Sequence, residues 1–217
     1  MEWAFLLDEI ISQSLRDFQS DCLRFCEQHY PTIHNRGMKE SHLGKALSRR
    51  LIHSYENIDI PANFVQLEDA SSLKQMVFRV DSPDHQIYIV AHNLISANVA
   101  CRRGLVKDTC WMLDRLDVND NKEKRLIIIS DHWIDRSAAS KSIPSWWLGH
   151  QPIHLPEFIA QGVKLVDSPN SLAVDLQADC RLHDGMHRIF HPFHRQRDGL
   201  PLFKYLLLSA VYPLSND

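Results

Sequence analysis

Two neighbouring segments carry side chains whose types and spacing suit metal-dependent hydrolysis of a phosphodiester. Asp81 follows the alternating stretch QMVFRV, and Ala91, His92 and Asn93 end the stretch QIYIVAHN. Such hydrolysis needs two or more carboxylates around a divalent cation and a group that positions the attacking water. Residues 91 and 93 share one face of a strand, so we expect Asp81 to converge with them if the two stretches form a hairpin. Glu40, on the apolar face of the preceding predicted helix, is the candidate for a fourth ligand.

The order of these pieces resembles that of the PD-(D/E)xK nuclease superfamily, which includes most type II restriction endonucleases. In that family a helix bearing a Glu precedes an Asp at the start of a hairpin. An (Asp/Glu)-x-Lys triplet lies on the next strand, and a helix and a buried strand follow. Residues 38–130 of this chain supply matching pieces, with Ala91 at the acidic position and Asn93 in place of the lysine that orients water.

The resemblance implies a Mg²⁺ site formed by Asp81, position 91 and Glu40, in a homodimer that acts on double-stranded DNA. It also implies that Ala91→Glu would create cleavage as long as Asp81 is intact. A second function stays open, which is a non-catalytic protein on a related fold that binds nucleic acid or a partner protein, and the alanine at position 91 favours it. Asp81 beside Ser-Pro can equally be a turn residue, and Glu40 can pair with an arginine such as Arg50.

Basic and hydroxyl side chains are the candidates for contacts with DNA. The formal net charge is −3, so attraction to a polyanion must come from a local basic face. Arg, Lys and Ser are common donors to phosphates and bases. The alternative is that these residues form solvated surfaces and a loop anchored by Trp146 and Trp147. The candidates lie on the predicted helix after the hairpin and in the loop after the buried strand: Arg102, Arg103, Lys107, Arg136, Ser137, Ser140 and Lys141.

Other kinds of chemistry have weaker sequence signals. His183, His187, His191 and His194 recur every three or four residues, but the Gly and Pro among them disfavour one helix, so surface or nucleic-acid-contacting histidines are favoured over a zinc site. The sequence contains no GxGxxG, P-loop or GxSxG motif. The five cysteines include no CxxC pair, which predicts reduced thiols.

The elements that must position these residues follow from hydrophobic periodicity. Apolar residues at helical spacing predict helices, alternating stretches predict strands, and the continuous run RLIIIS predicts a strand buried on both faces. This order predicts a mixed sheet flanked by helices, an α/β sandwich. The predicted helices span 2–29, 38–55 and 97–116, the predicted strands span 75–81, 86–93, 125–130, 163–166 and 172–176, and 202–212 fits either type.

Length and composition predict one domain. The 217 residues suffice for one well-buried core, with a helical segment over 1–35, the nuclease-like core over 38–130 and a loop-rich remainder over 131–217. The first helix carries acidic residues where a signal peptide needs positive charge, and no apolar run approaches the roughly 18 residues of a membrane span. We therefore expect a cytoplasmic protein without membrane contact.

Overall fold

The computed structural model describes residues 2–29, 38–69, 72–94, 98–116, 120–134 and 137–214. Within these ranges the helices are α1 (Glu2–His29), α2 (Glu40–Glu56), α3 (Val99–Leu113), α4 (Ile143–Leu148), α5 (Leu155–Ala160) and α6 (Leu172–Cys180). The strands are β1 (Asn63–Asp69), β2 (Ser72–Asp81), β3 (His85–Asn93), β4 (Glu123–Trp133), β5 (Met186–Phe190) and β6 (Tyr205–Leu214). A short 3-10 helix spans Ala138–Ser142.

The six strands form one mixed sheet in the order β1-β2-β3-β4-β6-β5. Strands β3 and β4 are parallel and are connected by α3, whereas the other neighbouring pairs are antiparallel. Strand β4 is central and its apolar run is buried, as a strand covered on both faces requires. The architecture is a six-stranded mixed sheet flanked by helices, which confirms the predicted α/β sandwich.

Each face of the sheet packs against its own set of helices. Side chains alternate between the faces along every strand, so each strand contributes to both cores. None of the described helices combines the length and apolar character that a membrane span requires. The core under α1 and α2 includes Leu7, Ile11, Leu47, Leu51, Phe78, Ile89, Ile127 and Leu207. The core under α3, α4 and α6 includes Tyr88, Leu105, Met112, Leu126, Trp146, Trp147, Leu176 and Leu206.

The predicted elements agree with the structure over the first 130 residues, except that β1 was not predicted. Two later predictions are wrong: residues 163–166 form no strand, and 172–176 belong to α6. Ser171 caps α6 by accepting a hydrogen bond from the backbone N–H of Val174 at 3.3 Å, and the buried Leu172 and Leu176 are four residues apart. The final apolar run forms β6, which together with β5 extends the same sheet.

The prediction that all cysteines are reduced is also wrong. Cys110 on α3 and Cys180 at the end of α6 form a disulfide across 70 residues of sequence, with their Cα atoms 5.3 Å apart. Packing of α3 against α6 brings the two thiols together, and a spacing this long gives no local sequence signal. Disulfides are typical of oxidising compartments. The disulfide therefore does not favour the predicted cytoplasmic location, which stays a prediction.

Candidate functional site

The carboxyl ends of β3 and β4 collect polar residues from several elements, and we call this end of the two strands the carboxyl edge. Because the strands are parallel neighbours, Asn93 at the end of β3 pairs with Asp131 near the end of β4. Helix α2 begins beside them, and β6 starts there because Tyr205 pairs with Trp133. In open α/β sheets ligands commonly bind outside the carboxyl ends of the strands. The carboxyl edge is therefore a candidate binding site.

Asp131 is a buried carboxylate that holds three parts of the chain together. Its side chain faces α1 and α2 and the residue is 1% exposed. Its Oδ2 atom accepts hydrogen bonds from the backbone N–H of Met38 at 2.7 Å and from the hydroxyl of Tyr205 at 2.9 Å. Hydrogen bonds to a buried charge offset the cost of removing it from water. Asp131 directly follows the buried run RLIIIS. A polar residue at the carboxyl end of a predicted buried strand is the sequence signal that would have identified it.

Glu40 reaches the carboxyl edge from the first turn of α2. Its Oε1 atom accepts a hydrogen bond from the backbone N–H of Asn93 at 3.1 Å. The structure therefore brings Glu40 and Asn93 together. Ala91 lies on the same face of β3 but is only 2% exposed and packs among apolar residues that include Ile89 and Ile129.

Asp81 lies elsewhere, and the expected convergence with residues 91 and 93 is wrong. Asp81 pairs with Gln86 beside the turn, and Ala91 is five residues further along β3, a distance of about 17 Å. Paired residues in an antiparallel ladder point to the same face, so Asp81 shares the face of Gln86 and Ala91 the opposite one. The carboxylate of Asp81 instead accepts a hydrogen bond from the guanidinium of Arg79 at 2.7 Å.

The residues present do not fit the expected Mg²⁺ site. Asp81 is remote, position 91 is an alanine, and Glu40 contacts a backbone amide. Across the described ranges, no group of three or more His, Cys, Asp or Glu side chains is arranged to hold a metal ion. Magnesium prefers several oxygen ligands in near-octahedral geometry, and one carboxylate beside an alanine does not supply them. We therefore derive no step through a metal ion at Asp81, Ala91 and Glu40.

The residues predicted to contact DNA have different structural roles. The guanidinium of Arg102 donates to the hydroxyls of Ser142 at 2.6 Å and Ser168 at 3.2 Å, and it lies over the ring of Trp146. Burial lowers the pKa of Arg102. This arginine connects α3 to the segment after β4, and its assignment as a DNA contact stays a prediction that this structural role does not favour.

The predicted loop contacts are only partly accessible. Ser140 is fully buried, and its backbone N–H donates to the hydroxyl of Ser137, which caps the 3-10 helix, so the assignment of Ser140 as a DNA contact is also wrong. Ser137 itself is exposed and Lys141 is half-buried. Arg136 lies outside the described residues.

Arg103 and Lys107 are the basic candidates that the structure leaves accessible on α3. Both side chains are exposed, and their spacing of four residues puts them on one face of the helix, one turn apart. The buried positions of α3 are Leu105, Val106, Thr109 and Met112, which leaves Arg103 and Lys107 on its outer side.

On the other face of the sheet His92 forms a second cluster, the His92 triad of Cys101, His92 and Asp108. Nδ1 of His92 lies 2.7 Å from Oδ2 of Asp108. Burial disfavours the charged imidazole, but hydrogen bonding to Asp108 and to Cys101 outweighs it and raises the pKa of His92 to about 9. Cys101, Gly104 and Asp108 share one stripe of α3. A Cβ atom on Gly104 would lie 3.2 Å from Cε1 of His92, so glycine lets the ring approach the helix closely.

The C-terminal histidines are divided between the surface and the interior. His183 and His194 are exposed, as expected, whereas His187 and His191 are half-buried. Nδ1 of His187 lies 2.6 Å from the carbonyl oxygen of Trp147 and Nε2 lies 2.6 Å from the hydroxyl of Tyr212. Burial lowers the pKa of His191 to about 4, and its ring packs against Phe203. These two imidazoles take part in packing.

Comparison of the chain with models of protein families, with curated proteins and with solved structures found no match. The resemblance to the PD-(D/E)xK superfamily thus stays a prediction from the sequence, and the site residues themselves must carry any functional conclusion.

Proposed function

We propose that the chain binds double-stranded DNA on a core arranged like that of a nuclease and that it does not cut the DNA. The observation that carries this proposal is the chain order around the carboxyl edge. Helix α2 with Glu40 is followed by the antiparallel strands β1 to β3, then by α3, and then by β4 parallel to β3. That order is the one that the resemblance implied, and it brings Glu40 to Asn93.

The absence of cutting follows from the side chains at the carboxyl edge. A nuclease of this kind needs carboxylates that converge on one cation. Here Asp81 lies on the opposite face of the sheet and Ala91 supplies no ligand. Asp131 is nearby, but its Oδ2 atom already accepts two hydrogen bonds that hold Met38 and Tyr205 in place. Protein-bound metal chemistry at positions 81 and 91 is therefore not part of the proposal.

The binding surface that we assign to DNA is the exposed face of α3. Arg103 and Lys107 are one helical turn apart there, so both can reach phosphates of one duplex. The chain as a whole is acidic, with a formal net charge of −3, so the local pair must supply the attraction. Two phosphate contacts predict a log-log slope of affinity against salt of about −1.8, which is a roughly tenfold loss between about 50 and 200 mM salt.

The test combines binding and cleavage on the same preparation. Fluorescence anisotropy with a labelled duplex should show binding that weakens by at least the predicted factor as salt rises. Supercoiled plasmid in Mg²⁺ or Mn²⁺ should stay intact at protein concentrations that saturate binding. Absence of salt-dependent binding would refute the proposal, and plasmid nicking that copurifies with the folded protein would refute its second half. The implied homodimer stays a prediction, which sedimentation of the protein with and without duplex tests.

A further inference from the structure

The His92 triad lies outside the surface assigned to DNA, and its residue types are those of an activated nucleophile. We propose that Cys101 is a nucleophilic thiol, assisted by His92 and oriented through Asp108, that accepts the acyl group of a small activated ester or thioester. The inference does not rest on the proposed DNA binding. It rests on His92 of β3 and on two residues of α3, Cys101 and Asp108, which follow His92 by nine and sixteen residues.

The geometry assigns one role to each member of the triad. Asp108 holds Nδ1 of His92 at 2.7 Å and so fixes the ring and its tautomer. The opposite ring nitrogen, Nε2, is buried against α3, 3.6 Å from the position that a Cβ atom on Gly104 would take. The sulfur of Cys101 lies on the same stripe of α3 and donates to the carbonyl oxygen of Asn93 at 3.9 Å, and Cys101 contributes to the raised pKa of His92. Nucleophile, base and orienting carboxylate are thus arranged in sequence along one helix face.

The surroundings of Cys101 favour a negatively charged sulfur. Cys101 is the third residue of α3, whose first turn is capped by Asn98, the side chain of which accepts a hydrogen bond from the Cys101 N–H at 2.8 Å. A helix N-terminus and a neighbouring imidazolium both favour a thiolate. The groups that act on the imidazole are Asp108 and Cys101 from α3 and Glu40 from α2.

Burial distinguishes Cys101 from Cys22, and neither belongs to the disulfide. Cys101 is half-buried, whereas Cys22 is buried in the core under α1. Gly104 contributes by letting the His92 ring lie against the helix.

The chemical step balances without any further reactant except water. The sulfur of Cys101 attacks the carbonyl carbon, a carbon–sulfur bond forms, and the bond from that carbon to the leaving oxygen or sulfur breaks. The leaving group takes the proton held on Nε2 of His92. Water then attacks the thioester, gives one proton back to Nε2 and releases a carboxylic acid and the thiolate.

The first readout is alkylation of the full-length protein by iodoacetamide, mapped by mass spectrometry, in which the peptide of the buried Cys22 should stay unmodified while the protein is folded. For an ordinary thiol with a pKa of about 8.5 the rate rises about tenfold per pH unit below that value. We expect the rate at Cys101 to be nearly constant from about pH 6 to 8, and to regain the ordinary slope in Asp108→Asn and His92→Gln. A tenfold rise per pH unit in the unmodified protein would overturn the proposal.

The second readout is release of p-nitrophenol from p-nitrophenyl acetate. We expect a burst close to one equivalent, an acetyl group on the Cys101 peptide, and loss of both in Cys101→Ser. The conservative Asp108→Asn keeps side-chain size, and circular dichroism shows that each variant is folded. Asp108→Asn should slow acetylation of Cys101 at least tenfold, and the acetyl group should still be found on Cys101 alone. An equal burst in Cys101→Ser, or no acetyl on Cys101, would overturn the assignment even if alkylation is fast.

Discussion

The ion pair between His92 and Asp108 predicts a contribution to stability that disappears at alkaline pH. Burial opposes the charge, but the hydrogen bonds to Asp108 and Cys101 raise the pKa of His92 from 6.5 to about 9. Because the folded pKa lies above the unfolded one, the contribution is complete below about pH 6.5 and is lost as the pH rises through about 9. A difference of about 2.5 pKa units corresponds to at most about 3 kcal/mol. His92 is only 9% exposed, so solvent screens the pair little.

Urea denaturation of the unmodified protein and of His92→Gln measures this contribution. The difference in unfolding free energy between the two proteins should narrow by up to about 3 kcal/mol as the pH is raised from about 6.5 to 9.5. Other titrating groups are common to both proteins and cancel in the difference. The difference in unfolding free energy between the unmodified protein and Asp108→Asn should narrow over the same pH range. A difference that is constant over this range, or that grows with pH, would refute the argument.

Three further predictions concern the carboxyl edge and the disulfide. Tyr205→Phe removes one donor from a buried carboxylate and should lower the unfolding free energy in urea by about 1–3 kcal/mol. Asp131→Ala leaves two donors without an acceptor and should lower it by about 4 kcal/mol. Equal losses in the two variants would contradict the role of Asp131 in holding Met38 and Tyr205. Ala91→Glu buries a carboxylate without a partner, so the melting temperature should fall and Mg²⁺-dependent nicking should stay absent. Reducing the Cys110–Cys180 disulfide opens a 70-residue loop and should lower the free energy of unfolding by at most about 4 kcal/mol, measured in urea with and without dithiothreitol.

The sequence predicts the sheet core well where periodicity is strong. The alternation of β2 and β3 and the continuous run of β4 survive in the structure because burial on one or both faces fixes each pattern. Residues 172–176 are predicted as a strand but belong to α6, although Ser171 as a cap and the four-residue spacing of Leu172 and Leu176 are helix signals. Edge strand β1 follows turn-forming residues that include Asp59 and Pro61, but its exposed and half-buried side chains blur the alternation.

The candidate site was harder to predict because it depends on register. The turn after β2 places Asp81 opposite Gln86. A shift of one residue along a strand moves a side chain to the opposite face of the sheet. The pairing of Asn93 with Asp131 depends on which strands become parallel neighbours, and the sequence alone does not state this. The His92 triad similarly depends on α3 packing back over β3, the strand that precedes it.

The central claim is that α3 binds DNA through Arg103 and Lys107, and a matched pair of double variants tests it most directly. Lys45 and Arg49 on α2 are exposed and also four residues apart, and α2 covers the opposite face of the sheet. The measurement is the slope of duplex affinity against salt for Arg103→Ala/Lys107→Ala and for Lys45→Ala/Arg49→Ala, both of which change the net charge equally. We predict that the α3 variant loses about 1.8 from the slope and that the α2 variant keeps the slope of the unmodified protein. Equal slopes in the two variants would contradict the account.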